Sequence, residues 1–202
     1  MPRAGLTEGR VVEEAGRLAD EVGWEHLTLA ALAGRLGVRQ PSLYKHIAGI
    51  DGLQRSIAIR AQSELADTLA RAAVGRWRGD AIVSMAHAYR DWAHAHPGRY
   101  AASQGAPAVG DNDHVAASNA AVQVVADVLV GFGLHGEDAI DAIRALRSAL
   151  HGFVSLEAAG GFGLPLDVDR SFDRMLEGIV IAFSNRADHP RRNTPARGGA
   201  AE

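Results

Sequence analysis

The 202 residues are 47% hydrophobic and 22% charged, the balance of an ordinary globular chain with enough apolar content to build a core. They contain no cysteine, which excludes a disulfide framework, a thiolate metal site and a cysteine nucleophile, and no apolar run approaches the roughly 18–20 residues of a membrane span. A net charge of −3 argues against indiscriminate coating of nucleic acid, so the expectation is a cytoplasmic protein with local, specific contacts and no membrane partner.

Apolar residues recur at helical spacing nearly throughout, which predicts an all-α fold of about nine helices. Thr7 is placed to cap a first helix to about residue 22, with Val11, Val12, Ala15, Leu18, Ala19 and Val22 on one face and Gly23 at its end. Trp24 and Leu27 then pack against it. Thr28 caps a second helix to about residue 36 that buries Leu29, Leu32, Ala33 and Leu36, and Gly37 supplies the positive φ of a sharp turn. Pro41 suits the first turn of a short third helix ending near His46. Two short helices around a Gly37-Val38 elbow read as a helix-turn-helix. Between Glu25 and Asp51 no acidic residue occurs, whereas His26, Arg35, Arg39, Lys45 and His46 do. A locally basic stretch in an acidic chain suits a site-specific partner of double-stranded DNA.

Asp51 is a suitable cap for a long fourth helix to about residue 74, with Leu53, Ile57, Ile59, Leu65 and Leu69 among exposed Arg and Glu positions. Further helices are expected at 79–96, stopped by Pro97-Gly98, and at 112–132, 137–159 and 169–187, with a Gly- and Pro-rich loop over 160–168. The organisation predicted is an N-terminal three-helix reader over 1–50, a connecting helix over 51–75, a helical-bundle effector and dimerisation domain over 76–187, and a disordered tail over 188–202.

A recognition helix needs base-edge donors near its start and phosphate donors at its flanks. Arg39 can bridge guanine O6 and N7, Gln40 can pair with adenine N6 and N7, and Tyr44 can reach a phosphate or a thymine methyl. Ser42, Lys45 and Thr28 suit phosphates, Thr28 with a helix N-terminus behind it. His46 is presented by the same helix; it and Tyr44 also have the character of packing residues.

The pattern Thr28-Leu29, Leu32-Ala33, Leu36-Gly37-Val38, Leu43-Tyr44, His46-Ile47, followed by Asp51-Gly52-Leu53, resembles the DNA-binding domain of the tetracycline-repressor family over about residues 7–60. The stretch from His151 to Glu157, with Gly161 to Pro165 and Ser171-Phe172 after it, is similar to the C-terminal domain of a subgroup named for a Trp-His-Gly motif, with Leu150 where that Trp would stand. The resemblance implies a homodimeric, usually repressing transcription regulator, released from a palindromic operator by a small-molecule effector. Many relatives carry a phosphate-touching lysine where this chain has Ile50, which shifts the expected backbone contacts toward Lys45 and His46.

Two stripes, Phe172, Met175, Leu176, Ile179, Val180 and Phe183 in the last helix and Ile143, Leu146, Leu150 and Phe153 in the one before, fit either a four-helix dimer interface or the core of one subunit. The effector pocket is expected among Met85, Tyr89, Trp92 and Phe153, with His96 and Asn119 as polar groups on otherwise apolar faces; each could equally be a satisfied core residue. His87, Asp91 and His94 recur at i, i+4 and i+7, a spacing open to a metal set but placed opposite the apolar stripe, where a solvated face is expected. Glu157 reads as an interface carboxylate or a pocket group. A nucleophile elbow, a phosphate loop and a His-Glu-x-x-His pair are all missing, so neither an enzyme nor a cofactor is expected. An effector-independent DNA-binding module is the competing reading, favoured by a fully packed C-terminal domain.

Overall fold

Threonine caps begin the first two helices: the Thr7 Oγ1 accepts from the Arg10 N–H and the Thr28 Oγ1 from the Ala31 N–H, at 3.3 and 3.2 Å. Each such cap contributes about 1 kcal/mol by satisfying an N–H that the helix itself cannot. The computed structural model describes residues 6–188. In chain order it contains α1 (Glu8–Val22), a 3-10 turn (Trp24–His26), α2 (Leu29–Leu36), a 3-10 helix (Gln40–Lys45), α3 (Gly49–Ala73), α4 (Arg78–Ala95), α5 (Pro97–Ser103), α6 (Asn112–Val130), α7 (Gly136–Ala158) and α8 (Val168–Asp188). No strand occurs among the described residues. The expected tail from residue 189 onward lies outside them; Asp188 closes α8.

Three local expectations are corrected. Asp51 is not the cap of the long helix, which starts two residues earlier at Gly49, where φ is 76°, with Ala48 at the cap position. Asp51 instead sits in the first turn, where its charge still favours the positive end of the helix dipole. The third helix is wound as 3-10 rather than α, with the Ser42 N–H donating to Arg39 O and the His46 N–H to Leu43 O, both at 2.8 Å. Pro97-Gly98 stops α4 but also starts α5, which the pattern did not foretell. Proline fits the first turn of a helix because its missing N–H would be unpaired there anyway.

Two apolar cores are joined by one helix. The first gathers Val11, Ala15, Leu32, Leu43, Leu53 and Ile57 beneath the reader, with Ala102 of α5 inserted into it. The second gathers Ala61, Leu65, Leu69, Ile82, Phe132, Phe172 and Leu176. The division falls inside α3, whose 25 residues extend about 37 Å at the ordinary helical rise. Leu53 and Leu65 belong to the same helix, so both cores are built on one element. A second bridge is α5 against α1, where Gly98 comes so near that a Cβ there would stand 2.2 Å from the Ala19 carbonyl. No helix of the described residues is long and apolar enough to cross a membrane.

Candidate DNA reader and ligand cavity

Gly37 ends α2 in the left-handed region, φ 66° and ψ 31°, and the Val38 N–H returns to Ala33 O at 3.0 Å, fixing the elbow. Leu43, fully buried, and Ile47 hold the 3-10 helix on the reader's core. Its outer side leaves Arg39, Gln40, Pro41, Tyr44 and Lys45 exposed, Tyr44 at 56% despite its apolar ring, while Ser42 and His46 are half-buried. In a 3-10 winding residues three apart align, so Pro41 with Tyr44 and Ser42 with Lys45 form neighbouring edges. The Thr28 hydroxyl accepts from the Ala31 N–H and keeps its own hydrogen to donate outward.

The basic stretch is narrower than its composition. Arg35 donates to Glu21 at 2.6 Å and to Glu14 at 3.1 Å, so its charge is taken up by α1. The hydrogen bond from Arg35 holds the Glu21 carboxyl below its ordinary value. Arg39 and Lys45, by contrast, have no carboxylate partner among the described residues. Ile50 packs against the reader's apolar core, which accounts for an apolar residue at that place.

In the body, α3, α4, α6 and α7, with the segment from Ser103 to Pro107, line a partly open cavity of about 440 Å³. Leu65, Leu69, Met85, Val122, Val125, Ile143, Leu146 and Leu150 supply apolar walls. The polar groups are Gln62, Tyr89, Ser103, Gln104, Ser118, Asn119 and Arg147. Gln62, 7% exposed, organises that end: its amide donates to Ser103 O at 3.1 Å and Gly105 O at 3.4 Å, and its Oε1 accepts from the Ser118 hydroxyl at 2.8 Å. Tyr89 and Tyr100 join hydroxyls at 3.0 Å, and the Tyr100 hydroxyl lies 2.7 Å from His151 Nδ1. Burial raises the pKa of both phenols, so they stay neutral across the physiological range. Size, apolar walls and a few placed polar groups are those of a small-molecule site.

Of the expected pocket residues, Met85, Tyr89 and Asn119 line this cavity, whereas Trp92, His96 and Phe153 do not. Phe153 stacks with Phe162 and Phe172 at centroid distances of 4.7 and 4.9 Å on the far side of α7. Trp92 packs edge-on to His96 at 5.4 Å. His96 stands at the junction of reader and body, its Nδ1 2.7 Å from Arg99. There the Asp20 carboxylate accepts from the Arg99 N–H and its Nε at 2.8 and 2.7 Å, and Arg99 also donates to Glu64 at 2.8 Å, tying α1, α3 and α5 together. Gln62 and Arg147 were missed. A polar residue on a long charged helix gives no sign from spacing alone that it turns inward.

A second tie joins the reader's end of α3 to the wall of the cavity. Asp111 caps α6 by accepting from the His114 N–H at 3.1 Å, and Arg55 grips the same carboxylate through two nitrogens. The Arg55 hydrogen bonds pull the Asp111 carboxyl down to about 2.

The two stripes, expected either at a dimer interface or in the core of one subunit, lie largely in the core of the single chain. Leu146, Leu150, Phe172, Leu176 and Phe183 are 5% exposed or less in a single subunit, and Ile143, Met175, Ile179 and Val180 are half-buried against the same core. Periodicity reported a buried face without saying that its own subunit buries it. Among the residues that α7 and α8 leave exposed are the small or apolar Ala145, Leu156, Gly178, Ile181 and Ala182, with half-buried Ala149 and Gly152 in the same helices. Gly152 and Gly178 have open space where a side chain would be.

His87 pairs with Asp173 at 3.0 Å and His94 with Glu157 at 2.8 Å, and no group of three metal-binding side chains assembles among the described residues. Glu157 is a paired carboxylate between α7 and α4: Arg90, lying over the Phe172 ring at 4.9 Å, donates to it through Nε at 2.8 Å. That hydrogen bond holds the Glu157 carboxyl below its ordinary value.

Residues 82–179 match the family described as tetracyclin repressor-like, C-terminal domain. The chain is similar to the uncharacterized HTH-type transcriptional regulator Rv0681 of Mycobacterium tuberculosis, 40% identical over 187 residues that cover 92% of this chain and 85% of that one. It is similar also to the uncharacterized HTH-type transcriptional regulator YobS of Bacillus subtilis, 36% identical over 189 residues, with 91% and 98% covered. Among solved structures, a variant of TetR from Acinetobacter baumannii AYE in complex with minocycline shares the fold at a TM-score of 0.68 and 22% identity, covering 91% of this chain and 99% of that one.

Proposed function

Since the chain belongs to the tetracycline-repressor family of helix-turn-helix transcriptional regulators, we propose that it is a homodimeric repressor released from a palindromic operator by a small molecule held in the α3–α7 cavity. The observation that carries this reading is the single helix α3, which contributes Leu53 and Ile57 to the reader's core and Leu65 and Leu69 to the cavity wall. A ligand that spreads α3 from α6 strains the Arg55–Asp111 grip at the reader's end. To act, it must bind the DNA-incompetent arrangement better than the competent one; a difference of about 1–3 kcal/mol changes operator affinity roughly 5- to 150-fold.

Arg39 and Gln40 read base edges in this account, Thr28, Ser42 and Lys45 hold phosphates, and Tyr44 and His46 flank them. Two copies pair through the small-residue faces of α7 and α8, where Gly152 and Gly178 let helices approach closely, with Leu156 and Ile181 at the contact. Pairing matters because one short helix reads too few base pairs, and a two-fold pair reads two half-sites about 34–36 Å apart. The relatives are regulators and not enzymes, and the chemistry assigned to this chain is binding alone.

The test is a thermal-shift screen followed by operator titration. Compounds that raise Tm in the wild type but not in the cavity-filled Ala86→Trp variant are expected to weaken operator binding. A compound that binds in that cavity-dependent way yet leaves operator affinity unchanged removes the effector reading.

A further inference from the structure

The cavity wall carries one formal charge. Arg147 of α7, itself solvent-exposed, is the charged side chain among the lining residues, and no aspartate or glutamate joins it. Two part-buried arginines of the body are neutralised within the chain: Arg90 by Glu157 and Asp169, Arg99 by Asp20 and Glu64. Arg147 has no carboxylate within ion-pair distance among the described residues; its contact is to Gln104 Oε1 at 3.5 Å, the limit of a hydrogen bond.

The other polar groups are committed. Gln62 spends its amide hydrogens on Ser103 O and Gly105 O, and Ser118 donates to Gln62. Ser103 donates its hydroxyl hydrogen to Tyr100 O at 2.8 Å, and the Tyr89 hydroxyl is bonded to Tyr100. Both phenols are kept neutral by burial, so the wall acquires no negative charge at ordinary pH. Two lining groups keep uncommitted donors, the Arg147 guanidinium and the amide of exposed Asn119, which makes no hydrogen bond among the described residues.

An apolar slot with a lone cation repels cationic guests and rewards a guest that brings one anion. A planar guanidinium accepts a carboxylate through two parallel hydrogen bonds. We propose that the effector is a carboxylate-bearing amphiphile. Its apolar body of roughly 10–20 heavy atoms lies among Leu65, Met85, Val125 and Ile143, and its carboxylate is seated on Arg147. The assignment rests on the effector reading of the cavity given above, and it names the chemistry that this site selects.

Three probes of equal chain length and different charge test it: decanoate, decan-1-ol and decyltrimethylammonium, titrated calorimetrically below their micellar concentrations into the full chain at pH 7.5. The variants are Arg147→Gln and, as a control, Arg144→Gln, an arginine of the same helix that is likewise exposed but does not line the cavity. Decanoate is expected to bind about tenfold tighter than decan-1-ol, with the ammonium weakest. Arg147→Gln should erase the decanoate advantage while leaving decan-1-ol binding unchanged, and Arg144→Gln should alter neither. Equal binding of the three probes, or a loss in Arg147→Gln that is the same for decanoate and decan-1-ol, overturns the anionic assignment and leaves the cavity as an effector site. Absence of binding by all three overturns it too. The operator-release screen, which selects compounds without regard to charge, then decides the effector reading separately.

Discussion

Replacing Gly98 by alanine adds one methyl group at the tightest helix contact between reader and body. The new Cβ would stand 2.2 Å from the Ala19 carbonyl carbon and oxygen and 2.6 Å from the Asp20 nitrogen, all backbone atoms fixed by α1. No rotamer change relieves this, so α5 must back away from α1 by about an ångström to restore ordinary contact. The retreat stretches both hydrogen bonds from Arg99 to Asp20 and pulls Ala102 out of the reader's core. Overpacking and the lost charge-assisted bonds together cost about 3–5 kcal/mol, and the better helix propensity of alanine returns up to about 1. A net loss of about 2–4 kcal/mol lowers Tm by roughly 4–16 °C in a chain of this size. Gly34→Ala serves as the control, because Gly34 lies inside α2 with nothing within 4 Å of a Cβ, and it should be neutral or slightly stabilising. Differential scanning calorimetry of the two variants decides the matter. A Gly98→Ala protein that melts within about 1 °C of wild type would refute the claim that this contact is rigid.

Other consequences are open to equally direct checks. Arg39→Ala should cost about 1–3 kcal/mol on the preferred site and relax base preference at one position, whereas Lys45→Ala should weaken all sequences alike and lower the salt slope by about one unit, both read by fluorescence anisotropy. Ile181→Arg, at a side chain 60% exposed in the single subunit, should leave Tm of the monomer intact while sedimentation shifts from dimer to monomer; an unchanged dimer would place the interface elsewhere. Glu157→Gln should cost about 1–2 kcal/mol at pH 7, discounted because Asp169 still serves Arg90 and solvent reaches the pair. Since the folded Glu157 pKa lies below its unfolded value of 4.5, that difference should be constant above the unfolded value and shrink as pH falls through the folded one. A difference that instead grows on acidification would refute the pairing.

Much of the reader was legible because local chemistry decides it. Thr7, Thr28 and Gly37 each do at one position what few residues can, capping a helix or turning the chain with positive φ, and they sit where the pattern placed them. The 3-10 winding of Gln40–Lys45 was not legible, since Pro41 is compatible with the first turn of either helix type. In the body, the spacing of α7 and α8 marks two apolar stripes but does not say whether a partner or the same chain buries them: Phe172 and Leu176 fill their own core, and the small residues Gly152 and Gly178 beside them give no signal in the spacing of large residues. Three of the six expected pocket residues line the cavity. Met85 and Tyr89 project from α4 into the cavity, but Trp92, further along, packs into the body's core against His96, and His96 at the end of α4 faces Asp20 of α1 and Arg99 instead. Gln62 and Arg147 matter through tertiary placement, and no periodic signal marks either.

Regulation as proposed requires two copies of the reader to meet one palindrome. Selection of binding sites from a random duplex library, followed by affinity of the winner as a function of salt, tests this most directly. A palindromic consensus with half-sites about one helical turn apart is the expected result. Binding that shows no enrichment above non-specific DNA would contradict it.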